Sequence, residues 1–247
     1  MILLRRLYSF WALFWFVFTF LLLFPFFWLF IQRKSWQPYT VILNKIWSYT
    51  FFTIIGLRIE KRYLFQPKSD GQYVYCANHG SFLDIAMLVY LLPDFFAYIG
   101  KESIRKVPLF GYMFVKLHIT VNRSSRKDSH RALVDAMEKA AGGRSLAIFP
   151  EGKIDQKVQP GLTPFKDGAF RIAIEKGLPI VPVCMPLNWY LLPDDGKLLP
   201  NFGKALAIVY PPIETKGMTE ADVPVLREQV FNLLSTEIQK YNTLIKL

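Results

Sequence analysis

Cysteine is scarce in this chain of 247 residues: there are two, Cys76 and Cys184. That excludes a disulfide framework and CxxC-type metal knuckles, and it suits a reducing compartment. Both cysteines sit in apolar runs that read as strands, so buried free thiols are expected. Histidine is nearly as rare, with His79, His118 and His130. No Cys/His spacing suggests a metal site, and none is expected. There is no G-x-S-x-G turn, so a serine nucleophile of that kind is excluded. Acidic residues are in deficit, 19 against 30 Lys and Arg, for a formal charge of +11. That excess implies anionic partners: nucleic acid, an acidic membrane surface or a phosphorylated small molecule. Long flexible linkers and internal repeats are absent.

Apolar surface is what the chain has in quantity. Hydrophobic residues make up 52% and phenylalanine alone accounts for 22 positions. Residues 7–31 carry no charge, lie between Arg5-Arg6 and Arg33-Lys34, and include 13 aromatic residues. As a helix this run measures about 37 Å, against a hydrocarbon core of roughly 30 Å. No small-residue cleavage site follows it, which argues against a signal peptide. Pro25 could kink it. Tryptophans along its length fit interfacial depth. Basic residues at both ends leave orientation open. A second apolar stretch, 39–56, carries Asn44 and Lys45, which are costly at mid-bilayer. We expect a membrane-embedded two-helix hairpin over residues 1–60, monotopic or re-entrant, with two spans as the alternative. The anchor favours membrane lipid over nucleic acid as the partner.

From residue 57 the pattern becomes globular. Strands are expected at 57–62, 73–77, 95–100, 119–121, 145–149, 180–185 and 205–210. Helices are expected at 85–92, 107–116, 128–141 and 168–176. A C-terminal helix starts near Pro224, with Leu226, Val230, Leu233, Leu234, Tyr241 and Leu244 on its apolar side. This alternation predicts an α/β fold over residues 61–247, a mostly parallel sheet flanked by helices.

Chemistry concentrates at strand ends. Asn78-His79-Gly80-Ser81-Phe82-Leu83-Asp84 is a strand-to-helix turn carrying an imidazole and a carboxylate. An imidazole oriented by a carboxylate is a general base near neutral pH. Read alone, Ser81-x-x-Asp84 equally fits a capping box in which Asp84 only caps its helix. Phe149-Pro150-Glu151-Gly152 ends another strand in a sharp turn whose N–H groups could cradle an anion, with Lys153 adding charge. Lys101 and Arg123 close two further strands and are candidate phosphate contacts. His118 and His130 read as structural. A base without a protein nucleophile implies that the substrate brings the attacking hydroxyl.

The order of these blocks resembles the glycerolipid acyltransferases, in particular the bacterial 1-acyl-glycerol-3-phosphate acyltransferases. The resemblance covers residues 73–190: His-x4-Asp at 79–84, Val121-Asn122-Arg123, Phe149-Pro150-Glu151-Gly152 and Ile180-Val181-Pro182-Val183. Pro164-Phe165-Lys166-Asp167-Gly168-Ala169-Phe170 and the N-terminal helix pair add to it. It implies that His79 deprotonates the free hydroxyl of lysophosphatidic acid and that Asp84 orients His79. The acyl donor would be acyl-CoA or acyl-carrier protein, with no other cofactor. It implies further that Arg123 binds the glycerol phosphate and that Glu151 and Gly152 belong to the acceptor site. Ile180 to Val183 would lie beside the acyl chain. Such enzymes work on the cytoplasmic face of the inner membrane. Two departures loosen the choice of acceptor: Lys153-Ile154 stands where the family often has Thr-Arg, and Asn122 where it often has an acid. Another lysolipid or an amino-acid lipid is the alternative acceptor. A non-enzymatic module binding anionic lipid is the alternative of another class.

Overall fold

The computed structural model describes residues 2–242. Leu244, expected on the C-terminal helix, lies outside them. Seven strands form one sheet: β1 (Ile59–Tyr63), β2 (Val74–Ala77), β3 (Phe96–Lys101), β4 (Ile119–Val121), β5 (Ser145–Ile148), β6 (Ile180–Cys184) and β7 (Ala205–Val209). Their order is β1-β7-β6-β2-β5-β3-β4. Every pairing is parallel except β6 with β7. The helices are α1 (Ile2–Ile31), α2 (Thr40–Ile54), α3 (Leu83–Leu91), α4 (Phe110–Leu117), α5 (Arg126–Ala141), α6 (Gly168–Lys176), α7 (Asn188–Leu191) and α8 (Val223–Asn242). The expected α/β architecture is therefore present, with strand ends shifted by one or two residues.

Side chains alternate across the pleat, so each central strand feeds two cores. Val74 and Cys76 of β2 join Ile148, Ile180, Phe170 and Val230 on one face. Tyr75 and Ala77 join Val181, Met87, Leu88 and Phe52 on the other. Truncating a fully buried member such as Met87 or Phe170 to alanine costs about 2–5 kcal/mol. Both cysteines are buried free thiols, and burial pushes each well up from its ordinary value.

The N-terminal segment is integral to this packing. Trp47, Phe51 and Phe52 of α2 belong to the second core. Phe16 of α1 sits edge-on against Trp47 and Phe51. At about 22 Å for its 15 residues, α2 is too short to cross a bilayer. The helix α1 runs unbroken through Pro25 for 30 residues. It is tied down at both ends. Arg5 donates to the carbonyls of Leu199 and Pro200, and Ser9 to that of Leu198. Phe27 and Ile31 pack on Met113 and Leu117. Between those ends Phe10, Phe14, Leu22 and Phe26 stay exposed.

Because β2, β3, β4 and β5 are mutually parallel, the loops after them emerge on one edge of the sheet. In open α/β sheets that carboxyl edge is where ligands bind. The turn with His79 follows β2, the Pro150-Glu151-Gly152 turn follows β5, Lys101 ends β3, and Arg123 follows β4.

Candidate active site

Between β2 and α3 the chain turns sharply, and Asp84 occupies the first turn of α3. Its carboxylate is wholly buried, at 0% exposure, a placement that demands full hydrogen bonding. Oδ2 accepts from Gly80 N at 2.9 Å, from Ser81 N at 2.9 Å and from His79 Nδ1 at 3.0 Å. Oδ1 accepts from Asn188 Nδ2 at 2.8 Å. Since an ionised carboxylate only accepts, His79 Nδ1 carries the hydrogen and Nε2 holds the free lone pair. Asp84 does not cap α3, whose N-cap is Phe82 with no side-chain cap bond; its carboxylate instead gathers the amides of Gly80 and Ser81 and the imidazole of His79.

The ring of His79 lies flat on Phe149, centroids 3.9 Å apart and planes 14° from parallel. With Nδ1 pinned and one face covered, the ring has one setting. Ser81 is no nucleophile: its hydroxyl donates to Leu192 O at 2.7 Å and accepts from Leu83 N at 3.1 Å. The amides of Gly80 and Ser81 are committed to Asp84, and that of His79 to Glu151, so none of the three is free to hold an oxyanion. Only glycine fits at position 80, where a Cβ would stand 2.9 Å from Trp189 Cβ.

Glu151, expected at the acceptor site, bonds inward in the turn after β5. It is 2% exposed and faces inward. Oε1 accepts from His79 N at 2.7 Å, and Oε2 accepts from Thr163 N at 2.9 Å and Thr163 Oγ1 at 3.2 Å. Burial pushes this carboxyl above the ordinary glutamate range, and the hydrogen bonds from Thr163 and His79 oppose that rise. Gly152 completes the turn with φ of +76°, a backbone setting that favours glycine. Lys153 is exposed, and its ammonium pairs with Asp155 Oδ2 at 2.7 Å within its own loop. The cation lying over the turn is instead Lys166: a Cβ on Gly152 would stand 2.8 Å from its Nζ. Lys101 and Arg123 are exposed on the same edge. From the strand order, Arg123 sits three strands from His79, roughly 14 Å along the sheet.

Beside the turn opens an apolar cavity of about 530 Å³. Phe82, Ile85 and Ala86 at the start of α3 form its near wall, Phe20 of α1 and Trp47 of α2 its cover, and Phe114 of α4 lines it too. Ile180 to Val183 do not line it. They are buried in the sheet between β2 and β7, as a core strand. His118 borders the cavity and accepts from Tyr98 N at 3.3 Å, and burial lowers its basicity, consistent with a structural role. Three contributors escaped the sequence reading: Asn188, Thr163 and Asn78. Asn78 bonds both backbone groups of Met185, tying the end of β6 to the end of β2. The stretch 164–170 was flagged by resemblance, and it contains Lys166. Asn188 lies on a helix of four residues with no periodic signal.

Comparison with known proteins bears on what this arrangement does. Residues 57–186, more than half of the chain, match the family model described as Acyltransferase. The chain belongs to the acyltransferase family. It is 28% identical over 215 residues to the 1-acyl-sn-glycerol-3-phosphate acyltransferase of Haemophilus influenzae, covering 85% of each chain. It is 31% identical over 134 residues to the Escherichia coli protein of the same name, covering 53% of this chain and 54% of that one. An uncharacterised acyltransferase of Schizosaccharomyces pombe is 31% identical over 178 residues, with 70% of this chain and 63% of the relative covered. The fold matches the crystal structure of a 1-acyl-sn-glycerophosphate (LPA) acyltransferase, PlsC, from Thermotoga maritima. That match has a TM-score of 0.77 at 22% identity and covers 96% and 98% of the two chains. Within the acyltransferase sheet, the matched segment runs from the entry to β1 through the end of β6.

Proposed function

We propose that this acyltransferase is a 1-acyl-sn-glycerol-3-phosphate O-acyltransferase. It moves an acyl group from a thioester to the free sn-2 hydroxyl of lysophosphatidic acid, giving phosphatidic acid for phospholipid synthesis. The single observation that carries the reading is a histidine with Nδ1 held by a buried aspartate and no bond at Nε2 among the described residues, on the turn that leads into Phe82, Ile85 and Ala86 of an apolar cavity's wall. In the reaction, His79 Nε2 takes the hydroxyl proton as the oxygen attacks the thioester carbonyl carbon. The new C–O bond forms, the C–S bond breaks, and the proton passes from His79 to the departing thiolate. General base help of this kind supplies roughly 10² to 10⁴ in rate. Alignment of the two substrates supplies much of the rest.

Lys101 and Arg123 bind the acceptor phosphate, with Gly152 and the cations about it completing that side. The reaction needs no cofactor beyond its co-substrate, acyl-CoA or acyl-carrier protein. Residues 1–60 anchor the α/β unit 61–247 to one leaflet of the inner membrane, on the cytoplasmic face. The exposed apolar side of α1, tied to the domain at both ends, supports a monotopic placement. The pairing of Lys153 with Asp155 favours one second reading, a different lysolipid or amino-acid lipid as acceptor.

Thiol release with lysophosphatidate and either donor, on the parent and on His79→Ala, tests the proposal. Release that collapses in the variant is the expected result. Release at the parent rate refutes it, and release with another lysolipid in preference to lysophosphatidate selects the second reading.

A further inference from the structure

Asn188 is fully buried, at 0% exposure, on the short helix that follows β6. Its amide nitrogen donates to Asp84 Oδ1 at 2.8 Å and contacts Met87 Sδ at 3.0 Å. Its own Oδ1 has no partner among the described residues. The bond that the structure gives this side chain is therefore the one to Asp84. Its amide cannot be turned round, because Oδ1 would then face an acceptor-only carboxylate.

The oxygens of Asp84 are unequally held. Oδ2 is gripped by three donors from its own turn, whereas Oδ1 has Asn188 alone. Rotation about χ2 moves both oxygens together, so a donor on Oδ1 restrains the same torsion that aims Oδ2. Without Asn188 that restraint comes from one side alone, and the carboxylate can swing further about χ2, loosening the line to His79 Nδ1. The helix bearing Asn188 is in turn registered on the catalytic turn. Asn78, next to His79, bonds Met185 N at 2.7 Å and Met185 O at 3.1 Å. Two amides thus cross in opposite directions between the ends of β2 and β6, one holding the segment and the other returning to Asp84.

We propose that Asn188 is a positioning residue for the acyl transfer, setting the plane of the Asp84 carboxylate and through it the direction of His79 Nε2. This rests on the reading of His79 as the base. The groups near Asp84 are His79, Tyr98 from β3 and Cys184 from β6, with Glu151 behind the backbone of His79. Burial keeps the tyrosine and the thiol protonated. The Asn188 amide therefore faces the Asp84 carboxyl alone in that cluster.

The test uses the full chain in lipid vesicles containing lysophosphatidate, with thiol release from acyl-CoA as the signal. Asn188→Leu keeps the volume and removes the amide. Its kcat is expected to fall about 10- to 100-fold, the range for removing an outer partner that orients a working group. KM for both substrates is expected to stay near the parent's, and the melting temperature to fall, since Asp84 Oδ1 loses its donor; kcat is read at a temperature where the variant is folded. Asn188→Asp keeps shape and polarity and places a second carboxyl on Asp84. The pair shares one proton in acid and carries two charges in base, so its kcat–pH profile is expected to move to higher pH. Parent kcat in Asn188→Leu overturns the proposal, as does an Asn188→Asp profile that superimposes on the parent's. His79→Ala runs beside them. If it keeps activity, the base assignment fails; if it is dead while Asn188→Leu is intact, this inference alone fails.

Discussion

The backbone N–H of His79 donates to Glu151 Oε1 at 2.7 Å. His79 is therefore held twice over, by its ring from α3 and by its main chain from the turn after β5. Glutamine at position 151 can satisfy only one of the two sets of donors, so either His79 N or Thr163 N loses its acceptor. That costs about 1–3 kcal/mol, and we expect Glu151→Gln to lower both kcat and the melting temperature. The pH dependence has a sign. Burial raises this carboxyl in the folded state, so its contribution to stability is full below the ordinary glutamate value of about 4.3. It is lost as pH rises through the raised folded value. The melting-temperature gap between parent and variant should thus be widest near pH 4 and narrow towards neutrality, which a thermal-shift series reads directly.

Asp84→Asn tests the carboxylate. An asparagine whose oxygen takes the Oδ2 place still accepts from Gly80 N, Ser81 N and His79 Nδ1, but it is neutral, so it gives less support to the imidazolium that forms when His79 takes a proton, and its NH2 faces the donating amide of Asn188. Turnover is expected to fall about 10²- to 10⁴-fold, with acceptor KM little changed. Steady-state kinetics with both substrates varied distinguishes this from a binding defect.

Gly152→Ala strains a left-handed residue by about 1–2 kcal/mol and drives a methyl into Lys166. The expected outcome is a higher KM for lysophosphatidate, unchanged KM for the acyl donor and a lower melting temperature. Lys166→Met should reproduce the KM effect without the loss of stability. Lys153→Met should do less, since its ammonium already has Asp155 as partner.

The cavity predicts chain-length selection. Ala86 lines it two positions along α3 from Asp84. Ala86→Phe fills space that an acyl chain would occupy. Long-chain donors should lose kcat/KM relative to short-chain ones by tenfold or more, since one or two excluded methylenes already cost about 1–3 kcal/mol. A panel of acyl-CoA lengths measures the ratio.

The sheet and the His79–Asp84 pair were legible because their signals are local. Apolar runs of five residues name strands, and His79 and Asp84 fall within one turn. What could not be read was the inward direction of Glu151. In sequence it is an exposed-looking carboxylate in a Pro-Glu-Gly turn, and only the arrival of Thr163, twelve positions later, shows both its oxygens engaged. The replacement of Lys153 by Lys166 over Gly152 is equally non-local, because Lys166 reaches that turn only when residue 166 bonds back to Pro150. Asn188 was hidden for the same reason, 104 positions from the aspartate it touches. The cavity needed α1, α2, α3 and α4 in place at once. Hydropathy marked α1 as apolar without showing that it forms a wall.

That wall has a kinetic meaning. Phe20 of α1 lines the cavity while Leu22 and Phe26 of the same helix face outward. With those residues sunk in a leaflet, lysophosphatidate and phosphatidic acid can arrive and depart sideways, in two dimensions, without passing through water. Turnover should then follow the mole fraction of acceptor in the surface rather than its bulk concentration, and diluting it with inert lipid at constant total acceptor should slow the enzyme.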